Sequence, residues 1–287
     1  MIPKVAGGRR LGVLGWLGLA LIGALLAWQL VAELVEPRLL LVVADWMRSK
    51  DPPLEVGTVG GTTLRLYADT RPHVGKIAGL QKGLVWVQGG EELVEEGYGF
   101  GCPIVVSGGR AYVSSHAETA IARGVNSVTL TKRYDMDTVD TPIRFLRRKF
   151  RRAPSLGIVT VRYEIRHDRT IGVAVDFSGL VGHWERAYLM NEQGARRFTH
   201  YRDATTAGLT ARKIGIWELA GGQKACFDWT GGERSFCVDA DAPARLYYGR
   251  ERARQYNWRG IWSLSWSGVD LELPIPQSEY EYRITLY

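Results

Sequence analysis

The chain has 287 residues, 46% apolar and 23% charged, the balance of a folded protein and not of a disordered tail. Its net charge of +7 favours acidic partners without singling out nucleic acid, because a membrane surface is acidic too. Five histidines occur in none of the spacings that bind zinc along a sequence, so a sequence-local zinc site is not indicated.

Residues 1–10 form a basic tail with Lys4, Arg9 and Arg10. Residues 11–32, LGVLGWLGLALIGALLAWQLVA, carry no charge. As a helix rising ~1.5 Å per residue, they are long enough to cross a ~30 Å hydrocarbon core. We assign residues 11–36 as a transmembrane anchor. A purely basic flank before it and a mixed flank after it put the N-terminus in the cytoplasm and the rest of the chain outside. The rival reading, a cleaved signal peptide, requires a shorter apolar run and an A-x-A site. Gln29, Glu33 and Glu36 share one helical face near the outer end, where a polar stripe meets headgroup water or a partner subunit. Residues 37–53 form a juxtamembrane segment that opens on Pro37. Its apolar part is too short to recross, which leaves a continued anchor, an interfacial segment or the first buried element.

The outer domain divides into an α+β part, residues 54–154, and an all-β part, residues 155–287, with one shared core as the alternative. Residues 54–59 and 62–68 flank Gly60-Gly61 as a hairpin. Residues 84–87 form a short strand, and residues 91–96 read as one helical turn. A tight turn at Ser107-Gly108-Gly109-Arg110 separates two further strands. Ser115 and Glu118 make a capping box that opens a helix through Arg123. A strand at 125–134 precedes a second helix, capped at Asp140 or Thr141 and running to about Arg152. After Pro154 strict alternation takes over, for example Val159, Val161, Tyr163 and Ile165 against Thr160, Arg162, Glu164 and Arg166. Short strands at regular spacing continue to residue 286. The expected fold is therefore mainly β: a transmembrane helix, then an extracytoplasmic sandwich or barrel-like domain with one or two short helices.

Cys226 and Cys237 lie equidistant from Gly231-Gly232, so a hairpin opposes them: a two-residue loop makes them a hydrogen-bonded pair, and a four-residue loop, 230–233, the closer, non-hydrogen-bonded pair. A disulfide there agrees with an outward topology. Cys102, in GYGFGCP, is either a small buried apolar residue or a nucleophile with His116 as its base. Asp135, Asp137 and Asp140 resemble part of a calcium loop, but they lack its glycine and distal glutamate and read more simply as an acidic turn. The helix after them carries Arg144, Arg147, Arg148, Arg151 and Arg152, a cationic face for acidic lipid or an acidic subunit. Tyr256, Trp258 and Arg259 form a mixed aromatic and cationic patch.

The reading that follows is a membrane-anchored domain acting by binding, an accessory or structural subunit of a membrane or cell-surface assembly. Its expected partners are the bilayer and other subunits, with no nucleic acid and no cofactor. A membrane-anchored thiol hydrolase using Cys102 and His116, or a glycan- or ligand-binding receptor, is the alternative.

Overall fold

The computed structural model describes residues 16, 18, 20–24, 55–58, 65–67, 80–88, 91–92, 97–140, 150–195, 197–206, 209–210, 215–229, 234–252 and 265–287. The chain divides into two units, Met1–Asp51 and Pro52–Tyr287. In the first, residues 16, 18 and 20–24 are helical. Among the described residues no helix is long and apolar enough to cross a membrane. Gln29, Glu33 and Glu36 lie outside the described residues, as do Arg144, Arg147, Arg148, Tyr256, Trp258 and Arg259.

The second unit is mainly β, with all pairing antiparallel. Its nine-stranded sheet runs, in spatial order, β15 (Leu209–Thr210), β14 (Phe198–Asp203), β17 (Lys224–Trp229), β18 (Ser235–Ala240), β21 (Glu279–Leu286), β12 (Thr170–Asp176), β11 (Ile158–Arg166), β8 (Ser127–Asp135) and β7 (His116–Arg123). The eight-stranded sheet runs β10 (Phe150–Arg152), β9 (Thr138–Asp140), β6 (Arg110–Val113), β5 (Gly99–Ser107), β13 (Arg186–Gln193), β20 (Ser265–Leu273), β19 (Arg245–Arg252) and β16 (Gly215–Leu219). A small sheet holds β1 (Glu55–Thr58), β2 (Arg65–Tyr67), β3 (Val85–Gln88) and β4 (Glu91–Glu92). Both large sheets draw strands from before and after Pro154.

The alternating pattern explains the core. Val159, Val161, Tyr163 and Ile165 of β11 are buried, as are Ile171, Val173 and Val175 beside them and Tyr280, Tyr282, Ile284 and Leu286 on β21. The inward residues of the eight-stranded sheet, among them Ala187, Leu189, Val269 and Leu271, meet them in a single apolar cluster. Each fully buried Val, Leu or Ile among them contributes about 1.5–3 kcal/mol of transfer free energy. Phe100 of one sheet packs edge-on against Phe236 of the other, 5.3 Å between centroids. Two antiparallel sheets thus close face to face.

Three local expectations fail. The capping box at Ser115 does not open a helix, because residues 116–123 form β7 and pair with β8 along their whole length. Ser115 instead directs its N–H and hydroxyl to the Asp137 carboxylate, at 3.1 and 2.9 Å. An eight-residue ladder outweighs a local cap whose acceptor is taken elsewhere. The arginine-rich helix does not reach Arg152: residues 150–152 are β10, paired with β9, and 141–149 lie outside the described residues. Glu91–Glu92, read as part of a helical turn, is β4 paired with β3. The turn at Gly108-Gly109 is as expected, both glycines at positive φ (57° and 70°) between the opposed Ser107 and Arg110.

Candidate binding site

The solvent face of the nine-stranded sheet carries a polar trough of about 490 Å³ along β12. The sequence TIGVAVD builds it. Ile171, Val173 and Val175 point inward, so the outward positions at mid-strand fall to Gly172 and Ala174. Neighbouring strands raise long charged walls on either side. In one row Glu164 opposes Gly172, Gly172 opposes Arg283, and Arg283 opposes Asp239. In the next row Ala174 lies between Arg162 and Glu281. The floor is low because glycine and alanine have nothing to project, and a Cβ added at Gly172 would only touch the Glu164 Cβ at 3.8 Å.

Both signs of charge line this trough. Arg166 donates to Glu164 at 3.1 Å, and that bond lowers the Glu164 carboxyl below the ordinary carboxylate value. The Cys226–Cys237 disulfide sits in the adjoining row, where Cys237 opposes Thr285 and Thr285 opposes Thr170. The two cysteines are directly opposed with a Cα–Cα distance of 4.0 Å, and Trp229 N–H bonds the Arg234 carbonyl to close the loop. This is the close pairing that a four-residue loop dictates. Such an alternation of cations and carboxylates beside a low floor suits an extended polar ligand with charges of both signs, such as a polypeptide segment. Sequence patterning showed which residues of each strand face outward. Only the register placed Arg162, Glu164, Arg283, Glu281 and Asp239 around one furrow.

A second polar group lies between the sheets. Tyr134 OH and Lys132 Nζ donate to the Lys82 carbonyl (2.9 and 2.6 Å), and Tyr163 OH donates to the carbonyls of Phe100 and Gly101 (2.9 and 3.1 Å). Tyr282 OH and Gly101 N–H both donate to Asn191 Oδ1 at 3.0 Å, while Asn191 N–H donates to Asp270 Oδ1 at 2.6 Å. Asp270 is fully buried, and desolvation pushes its carboxyl up to about 8. These bonds hold the two sheets in one register. None of these residues is a candidate from the sequence, because no local pattern brings them together.

The candidate nucleophile belongs to this interior. Cys102 is 2% exposed, donates its thiol to the Gln81 carbonyl at 3.4 Å, and is pushed by burial up to about 12. His116 is exposed on β7. A reactive thiolate needs an accessible setting as well as a base, and Cys102 lies in the interior, where desolvation outweighs the pull of the nearby Lys132 and Lys82 cations. The glycines of GYGFGCP have a structural role. Gly99 and Gly101 have φ of +73° and +72°, and a Cβ at Gly97 would meet the Glu192 carbonyl at 2.8 Å.

The acidic turn is likewise structural. Asp137 accepts from Ser115 and Thr138 and forms an ion pair with Arg152, while Asp135 accepts from Ser155. No three potential metal ligands cluster among the described residues. The Arg152 guanidinium, expected to face a partner, pairs within the chain.

No protein-family model and no curated protein matches the chain. Its fold is similar to solved structures. The α-N-acetylgalactosaminidase of Bifidobacterium bifidum in complex with GalNAc aligns over 82% of this chain and 36% of its own, at 8% identity and a TM-score of 0.51. The heparan sulfate lyase of Pedobacter heparinus aligns over 78% and 33%, at 9% identity and a TM-score of 0.48. The chain therefore spans little more than a third of these proteins. At such identity the likeness concerns the fold alone.

Proposed function

We propose that this chain is a single-pass membrane protein, N-terminus inside, whose extracytoplasmic β-sandwich acts by binding. In this reading it is an accessory or structural subunit of a membrane or cell-surface assembly. The observation that carries it is the trough: a furrow floored by Gly172 and Ala174 and walled by charges of both signs. A polypeptide segment of a partner subunit fits those walls.

Further support comes from several features. The uncharged run 11–32 supplies an anchor, and its basic flank sets the orientation. The disulfide suits an oxidising compartment on the outer side. Gln29, Glu33 and Glu36, with Arg144, Arg147, Arg148 and Arg151, provide further contacts to subunits or to acidic lipid. The burial and high pKa of Cys102 weigh against the thiol-hydrolase alternative.

The test is mild-detergent extraction from native membranes of the wild-type chain and of Gly172→Leu, followed by mass spectrometry of what co-purifies. The leucine fills the furrow at a φ that any residue adopts. A stoichiometric partner with wild type that is lost with Gly172→Leu supports the reading. A clean monomer, or a partner indifferent to the filled trough, overturns it.

A further inference from the structure

The furrow along β12 selects the shape of its occupant before its charge. β11 and β21 flank β12, so the two walls rise two strand spacings apart, ~9.6 Å between backbone lines. An α-helix with its side chains is ~10–12 Å across and would ride on top of the walls. One extended chain fits between them. The floor offers that chain no backbone bonds, because β12 is laddered to β11 on one side and to β21 on the other. Strand addition is therefore excluded on this face, and selection falls to the side chains of the walls.

Those side chains are not equally available. Arg166 holds Glu164 through two N–H donors, at 3.1 and 3.3 Å, and so answers its charge. Arg162, Arg283 and Glu281 are exposed and make no ion pair or side-chain hydrogen bond among the described residues. In the row through Ala174, Arg162 stands on the β11 wall and Glu281 on the β21 wall. Asp241, next to the Ala240 that pairs with Tyr282, lines the furrow on the Glu281 side. This row is positive on one side of its floor and negative on the other, with neither charge answered.

We propose that the partner segment lies in this furrow as a single extended strand and places an adjacent acidic and basic residue over Ala174, the acid on Arg162 and the base on Glu281. The inference rests on the reading of the trough as a partner-binding site. Successive side chains of an extended chain point to opposite sides, so neighbours in sequence reach opposite walls. A pair of bases would set a like charge against Arg162, and a pair of acids would do so at Glu281 and Asp241. Only a mixed pair answers both walls. The furrow is open along its top, which keeps the segment's own backbone hydrated.

The experiment uses the full-length chain in mild detergent and three short, end-blocked peptides of serine and threonine. Each carries a fluorophore and a central Glu-Lys, Lys-Lys or Glu-Glu pair. Fluorescence anisotropy reads their binding up to about 1 mM. Wild type should prefer the Glu-Lys peptide at least about threefold over either like-charged one, the selectivity that exposed ion pairs supply. Arg162→Glu makes both walls of the row acidic and should switch the preference to the Lys-Lys peptide. Glu281→Arg should shift it towards the Glu-Glu peptide. A gained preference cannot come from misfolding. Gly172→Leu should abolish binding of all three, which assigns the binding to the furrow. Equal binding of the three peptides, preferences unmoved by the wall variants, binding that survives Gly172→Leu, or no binding at all overturns the inference. The subunit reading is decided separately by the co-purification above: a partner lost with Gly172→Leu keeps it even where the peptides fail.

Discussion

Gly101 leaves the space in which the Tyr163 ring sits. A Cβ at Gly101 would lie 2.8 Å from the ring Cε1 and 2.9 Å from the phenolic oxygen. The same hydroxyl donates to the carbonyls of Phe100 and Gly101. With φ at +72°, the position is closed to side chains twice over, once by sterics and once by conformation. Gly101→Ala should therefore destabilise the domain by about 2–4 kcal/mol, through strain and a displaced inter-sheet hydrogen bond. Chemical denaturation of the variant against wild type checks this, and a loss under about 0.5 kcal/mol would remove the glycine from the argument.

Asp270 makes stability depend on pH in the direction opposite to an ordinary ion-paired carboxylate. Its carboxyl is pushed up to about 8 by burial, so the folded state holds a proton that the unfolded chain releases near pH 4. The contribution is fully present below the unfolded value and is lost as pH rises to about 8, at up to about 1.4 kcal/mol per pH unit. Asp270→Asn keeps an oxygen for the Asn191 N–H and cannot ionise. Urea unfolding at pH 5, 7 and 9 should show the wild type losing stability across this window and the variant losing markedly less. Parallel curves would mean that the carboxyl does not titrate there.

Cys102 should be silent to thiol reagents in the folded protein and reactive once unfolded. Burial both shields its sulfur and keeps it protonated at neutral pH. Labelling with a maleimide before and after denaturation, with the disulfide left intact, reads this out. Fast labelling of the native chain would return the nucleophile reading to consideration.

The disulfide closes a short hairpin loop, so its contribution lies at the lower end of the usual range. Replacing Cys226 and Cys237 together by serine should lower stability by about 2–3 kcal/mol while leaving the strands paired. Far-ultraviolet circular dichroism should be unchanged while the denaturation midpoint falls. Loss of the β signal before denaturant is added would assign the bridge a larger role than loop entropy gives it.

By itself, the sequence determined most of the strands and one covalent link. Alternation with a period of two is a local property, and it fixed which face of β11, β12 and β21 is buried before any partner strand was known. Symmetry about Gly231-Gly232 likewise opposed Cys226 and Cys237. It misread the segments 91–92, 116–123 and 150–152, where local helix signals met the ladders of neighbouring strands β3, β8 and β9. β7 pairs with β8, but its cap residue Ser115 is held by Asp137, and β10 depends on β9. Only the tertiary structure decided what surrounds each residue. Cys102 became an interior thiol because Gln81 crosses it, and the charges of three strands became one trough because their registers align across β12 on Gly172. Register and burial arise from pairings between residues far apart in the chain, and no window of local sequence contains them.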